Sequence, residues 1–256
     1  VGIVTDIAFG LLFVIATVTL SLGSYMLARW FAGRGPYERH KEMAGAMVTR
    51  IAALHGLIIA LVFAQEMTSY QRLETQTAAE ASAIADVFND AARYDATLLG
   101  PLQQDMRGYL RAVIDTEWEQ LGAGNGLSDA AWAIWSTAYD RVLDLIPQTP
   151  RQVSLRDHML ASLHAISASR DMRQSEAITS VAHFFWIAAL SGVVLIAFGH
   201  YIYTPERHNL VLLGLFSAYT GAILFLIFGF SNPYSPPAEL QPGPLQTLAT
   251  KLLAGS

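Results

Sequence analysis

The stretch "RIAALHGLIIALVFAQEMTSYQRLETQTAAEASAIADVFNDAARY", Arg50 to Tyr94, decides how this chain folds. Its first part is oily enough to cross a bilayer, yet Arg50 opens it, His55 lies near its middle and Glu66 closes it. The remainder carries no helix breaker and turns amphipathic, with Ala81, Ile84, Ala85 and Phe88 along one stripe. One uninterrupted helix is therefore expected to span the membrane and continue into a polar helical domain.

Composition agrees. Of 256 residues, 53% are hydrophobic and 14% charged, and the mean hydropathy is +0.35, too oily for an ordinary soluble domain. The chain has no cysteine, which excludes disulfides and thiolate metal sites. A net charge of -5 offers no basic surface for nucleic acid.

A span needs about 20 mostly apolar residues to cross roughly 30 Å of hydrocarbon. Windows of that kind run from Ile7 to Trp30, Ala46 to Met67, Val181 to Tyr203 and Leu210 to Phe230. The first lacks the small-residue cleavage pattern of a signal peptide and reads as a membrane helix. Aromatic residues gather at the window ends, as in Trp30, Trp186, Tyr203 and Phe230. The expected fold is an all-α integral membrane protein, four transmembrane helices forming two hairpins with a helical bundle inserted between the second and third. Residues 1–68 make the first hairpin, 69–180 the extramembrane domain, 181–230 the second hairpin and 231–256 a proline-rich tail with a short amphipathic end.

Within the insert, Gly100 and Pro101 mark a turn. Leu102, Met106, Tyr109, Leu110, Val113, Trp118 and Leu121 follow at helical spacing. "GAGNG", Gly122 to Gly126, reads as a loop and Ser128 as an N-cap. Trp132, Trp135, Tyr139, Val142 and Ile146 form the next stripe, ended by Pro147 and Pro150. A last helix, from about Gln152, carries Leu155, Met159, Leu163 and Ile166 and is expected to run into the third span.

Glu66 follows His55 by almost three whole turns, so the two share a helical face to within about 20°, with Ile59 and Val62 between them. This face suits either an aqueous path with an apolar neck or a buried histidine bonded to a neighbouring helix. Arg50 points about 140° away, near the loop, where it can snorkel to headgroups. His183 and His200 stand too far apart along one helix to share a haem iron, and His158 and His164 lack a zinc-site pattern. Asp115, Glu117 and Glu119 read as a solvated charge run. No nucleophile motif appears. No catalytic residue, metal or cofactor is expected.

Arg29, Arg34, Arg39, Lys41, Arg50 and Arg207 flank the tight hairpin loops, against Arg72, Arg170, Arg173 and Lys251 on the other side. This bias places the loops in the cytoplasm and the helical domain outside.

Four segments, in their order, resemble the bestrophin-like membrane proteins of bacteria. "HKEMAG", His40 to Gly45, is similar to that family's His-Asn-Glu-x-x-Gly entry to its second span, with Lys41 in place of Asn. "AAEASAIADVF", Ala78 to Phe88, is similar to its alanine-rich acidic helix, and "VIDTEWEQL", Val113 to Leu121, to its acidic run ending in Glu-Trp. "SNPYSPPAELQPGPLQTL", Ser231 to Leu248, is similar to its closing Asp-x-Pro-Phe segment, with Ser231 for the acid and Tyr234 for Phe. The resemblance implies kinship with bestrophins, pentameric anion channels whose second membrane helix lines an apolar neck and whose helical insert is cytosolic. That last implication opposes the charge bias.

The function expected is a homo-oligomeric channel in the bacterial inner membrane, conducting small ions, anions in particular, with His55, Ile59, Val62 and Glu66 on the path. The alternative is a non-catalytic accessory or sensory subunit whose helical domain binds a partner.

Overall fold

The computed structural model describes residues 2–32, 41–178, 181 and 183–254. His40, Arg34 and Arg39 lie outside them. Helix α1 (Gly2–Ala32) is followed by the long α2 (Lys41–Tyr94), then α3 (Ala96–Ala112), a π turn (Val113–Glu117), α4 (Trp118–Gly122), α5 (Asp129–Leu143) and α6 (Pro150–Ile178). Helix α7 (His183–Gly199) ends in a 3-10 turn (His200–Ile202), and α8 (Arg207–Phe230) and α9 (Gly243–Ala254) complete the chain. Four of these, α1, α2, α7 with its 3-10 turn, and α8, are long and apolar enough to cross a membrane. The 54 residues of α2 form one helix, as the absence of a breaker predicts.

The chain divides into two compact units. One holds residues 1–68 and 181–231, and the other 69–180 and 232–256. The proline-rich tail is therefore part of the helical unit rather than a separate element.

In the membrane unit α1 packs on α8 and α7 through small residues and rings. A Cβ on Gly221 would stand 2.9 Å from Thr17 Oγ1 and 3.1 Å from the Phe13 carbonyl, so glycine here lets two backbones approach. Phe13 meets Phe225 and Phe228. At the other end Tyr25 donates to the Tyr203 carbonyl at 2.8 Å, and Arg29 donates to those of Tyr201 and Tyr203. Those contacts tie the polar groups of Tyr25 and Arg29 to carbonyls of the turn after α7.

The helical unit has its own core of Leu73, Ile84, Val87, Met106, Leu110, Val113, Val142, Met159, Leu163 and Ile166, all buried. Ser128 caps α5, accepting from the Ala131 amide, and Gly124 and Gly126 hold the loop before it at φ of 74° and 80°, where side chains are strained. The tail clasps this unit. Trp118 Nε1 donates to the Leu240 carbonyl at 2.8 Å, Ser235 Oγ to that of Gly122 at 2.9 Å, and the Tyr234 ring meets the edge of Trp118.

Three expectations are corrected. The break before α3 falls at Asp95, five residues ahead of Gly100, and Pro101 sits inside α3, beyond its first turn, so the helix forgoes one internal hydrogen bond there. Helix α6 starts at Pro150 and does not run into the third span, since Val181 is not helical. The buried line of α5 is Ala131, Trp135, Ala138 and Val142, leaving Trp132 and Ile146 exposed.

Candidate functional site

Helix α2 has two faces in the membrane unit. On one, His55 and Ile59 are each only 5% exposed. This face packs on α7, where glycines make room. A Cβ on Gly192 would overlap the His55 ring, and one on Gly199 would overlap Val48. Ile59 joins Phe185, Ala189, Leu224 and Ile227 in one apolar cluster, with Val62 and Phe63 packed against it. Glu66 is 9% exposed on the same side. His55, Ile59, Val62 and Glu66 share a face, and His55, Ile59 and Val62 on it pack against the protomer's own helices. The spacing alone could not tell these outcomes apart, because a wet path and a packed neighbour both favour one stripe.

The opposite face is open. Leu54, Leu57 and Leu61 are 63%, 55% and 63% exposed, and Arg50 and Thr68 are exposed as well. On a helix of 3.6 residues per turn, Arg50, Leu57, Leu61 and Thr68 align within about 20°. Here Arg50, expected to do no more than reach headgroups, heads an apolar row. His183 is exposed, and His200 Nδ1 stands 2.9 Å from the Ile196 carbonyl of its own helix. No cluster of His, Cys, Asp and Glu able to hold a metal occurs among the described residues.

The helical unit holds a charged cluster that the sequence reading missed. The π turn carries Glu117 into the core, and Trp118 closes that turn by donating to the Val113 carbonyl. Arg170 Nε and Arg173 Nη2 donate to the two Glu117 oxygens at 3.0 and 2.7 Å, and the Ser128 amide donates to Oε2 at 3.0 Å. Arg173 also pairs with Glu80, whose other oxygen accepts from the Tyr109 hydroxyl at 2.7 Å. Arg173 is 1% exposed and both glutamates are fully buried. Arg170 and Arg173 lie over the rings of Trp132 and Trp118. Burial pushes the Glu117 carboxyl above the usual range, opposed by Arg170, and lowers the Arg173 guanidinium to about 10. Burial likewise pushes the Tyr109 and Tyr234 phenols up. Asp115 and Glu119 are exposed as expected, but Glu117 is not part of a solvated run.

Residues 15–245 match the model of the bestrophin-like domain. The chain belongs to the bestrophin-like family. Its fold is similar to the crystal structure of a bacterial bestrophin homologue from Klebsiella pneumoniae carrying a single substitution, with a TM-score of 0.70 at 11% identity, covering 95% of this chain and 99% of that one. A second variant of that homologue gives 0.64 at 14% identity, covering 95% and 97%. A crystal structure described only as a membrane protein gives 0.63 at 12%, covering 96% and 97%. No curated protein matches the chain by sequence. At these identities the likeness extends to the bestrophin fold, and the side chains that would do the work must be read from this chain.

Proposed function

We propose that this bestrophin-like protein is the subunit of a homo-oligomeric channel for small anions, a pentamer by analogy with bestrophins, whose path is lined by the open face of α2. The observation that carries this reading is the row Arg50, Leu57, Leu61 and Thr68, turned away from the protomer's own core and free of carboxylates. Around an axis, Leu57 and Leu61 supply an apolar neck that gates by dewetting, while a ring of Arg50 at one mouth attracts anions. Glu66, which would repel them, sits on the buried side of the helix.

The subunit sits in the bacterial inner membrane. Following the charge bias, its helical domain faces the periplasm. The chain has no cysteine, so Ala130→Cys, at an exposed site on that domain, reports orientation through a membrane-impermeant maleimide. Labelling in intact spheroplasts supports the periplasmic placement, and labelling only after lysis reverses it.

Single-particle imaging of the purified protein in nanodiscs tests the assembly. A closed ring with Leu57 and Leu61 at its axis is expected. A monomer, or a ring with that face on lipid, would sink the channel reading. A second, non-catalytic reading as an accessory subunit is favoured by Trp132, Leu143 and Ile146, apolar and exposed on the helical domain. A stable partner chain in the images, seated there, would select it.

A further inference from the structure

At the loop end of the membrane unit, α2, the turn after α7 and α8 border a cavity of about 480 Å³, the size of a small-molecule site. Of its lining only Thr49 and Leu212 are exposed, and the other side chains are buried or half-buried. The cavity has a polar end and an apolar one. His200, Tyr203 and Asn209 stand at the loop, and from there α8 runs about 10 Å, roughly two turns, to Phe216, with Ala52 opposite on α2.

Three polar atoms at the loop end are left over. His200 Nδ1 stands 2.9 Å from the Ile196 carbonyl, which can only accept, so the neutral ring leaves Nε2 as an acceptor. Asn209 Nδ2 donates to the Thr204 carbonyl at 3.0 Å, which leaves Oδ1 as a second acceptor. The Tyr203 hydroxyl lies against Gly45, where a Cβ would come within 2.9 Å of it. None of these three atoms has a hydrogen-bond partner among the described residues, and none is sealed off by the protein. Two of them only accept and the third does both, so the set is short of donors. The cavity lining has no Lys, Arg, Asp or Glu, so a charged head would go unpaired there.

We infer that this cavity binds an uncharged lipid with a glycerol head, of the monoacylglycerol kind, whose two free hydroxyls supply the missing donors. Its ester carbonyl suits the Tyr203 hydroxyl, and its acyl chain passes Ala52 and Phe216. Leu212, 64% exposed, leaves the apolar side open to the bilayer, as an acyl chain requires. A fatty alcohol brings one donor to two acceptors and matches the set less well.

The test titrates radiolabelled 1-monododecanoylglycerol, its dimethyl ether and dodecanol onto the full chain in nanodiscs, with empty nanodiscs as background. The ether keeps the chain and the ester and removes both donors. The diol is expected to bind about tenfold more tightly than the ether, the ratio that one or two neutral hydrogen bonds supply, with dodecanol between them. The double variant Tyr203→Phe/His200→Phe should bring the diol to the level of the ether. Thr49→Trp, at an exposed position on the cavity wall, should abolish saturable binding of every probe while leaving the polar set untouched. Equal binding of diol and ether, dodecanol as tight as the diol, an undiminished preference in the double variant, or no saturable binding above empty nanodiscs would each overturn the inference. Any of them would mean that interfacial water alone meets these acceptors.

Discussion

In the membrane unit, the buried hydroxyls of Thr17 and Ser217 turn back on their own helices: Thr17 donates to the Phe13 carbonyl at 2.8 Å and Ser217 to that of Leu213 at 2.8 Å. In the helical unit, by contrast, two arginines and two glutamates lie together in the core, neutral in sum and bound to one another. The difference follows from the solvent each unit leaves on unfolding and from what each excludes. A hydroxyl satisfied within its helix needs no partner from another helix and leaves packing to small and aromatic residues. A buried charge must find its partners in one arrangement only, so a cluster of four fixes the register of α2, α3, α5 and α6 while adding little net stability.

The largest expected effect comes from breaking that cluster. Arg173→Met leaves Glu80 and Glu117 short of partners and should lower the stability of the helical unit by about 3–5 kcal/mol. Arg50→Gln, on the open face, should change melting of the purified protein by less than about 0.5 kcal/mol. Similar losses from both would erase the contrast between an obligate buried cation and a solvated one. Next comes the buried face of α2. Ile59→Ala should cost about 2–4 kcal/mol in thermal or denaturant unfolding, while Leu61→Ala, exposed in the protomer, should cost far less. The reverse order would put Ile59 back on the path. Gly192→Ala overpacks the contact with His55 and should cost about 1–3 kcal/mol.

Smaller effects sharpen the picture of the helical unit. Tyr234→Phe removes the hydroxyl that donates to the Arg173 carbonyl at 3.1 Å and should cost about 1 kcal/mol. A tail that merely drapes over the unit would show no loss. The least effect belongs to His158, whose Nδ1 meets the Asp90 carboxylate. That hydrogen bond raises its pKa above the usual 6.5. The stabilisation is therefore complete below about pH 6.5 and lost as pH rises through the raised value. Because the imidazole is 57% exposed, screening keeps this under about 1 kcal/mol. Asp90→Asn should flatten that part of the pH profile, and an unchanged profile would exclude the pair as its source.

The spans, the unbroken α2 and the Ser128 cap were legible because each rests on local rules of length, breaker and capping chemistry. The buried cluster was legible too, in a form easily passed over. Met159, Leu163 and Ile166 continue at the same spacing into Arg170 and Arg173, and Leu73, Thr77 and Ile84 bracket Glu80 in the core stripe of α2. A charge that falls in phase with a core stripe is a signal of pairing, and grouping Glu117 with its sequence neighbours Asp115 and Glu119 hid that phase. The π turn, which shifts the register between Val113 and Trp118, has no comparable mark in the sequence. For α2 in the membrane, periodicity identified a distinct face but not its neighbour. Only the glycines of α7 opposite Val48 and His55 decide that it is packed.

The most direct test of the channel is chloride flux from proteoliposomes containing the purified protein, with Leu57→Ala/Leu61→Ala and Arg50→Gln alongside. Flux above empty liposomes is expected, larger in the double variant and less selective for chloride over sodium in Arg50→Gln. No flux, or flux unaltered by any of these substitutions, would contradict a path lined by the open face of α2.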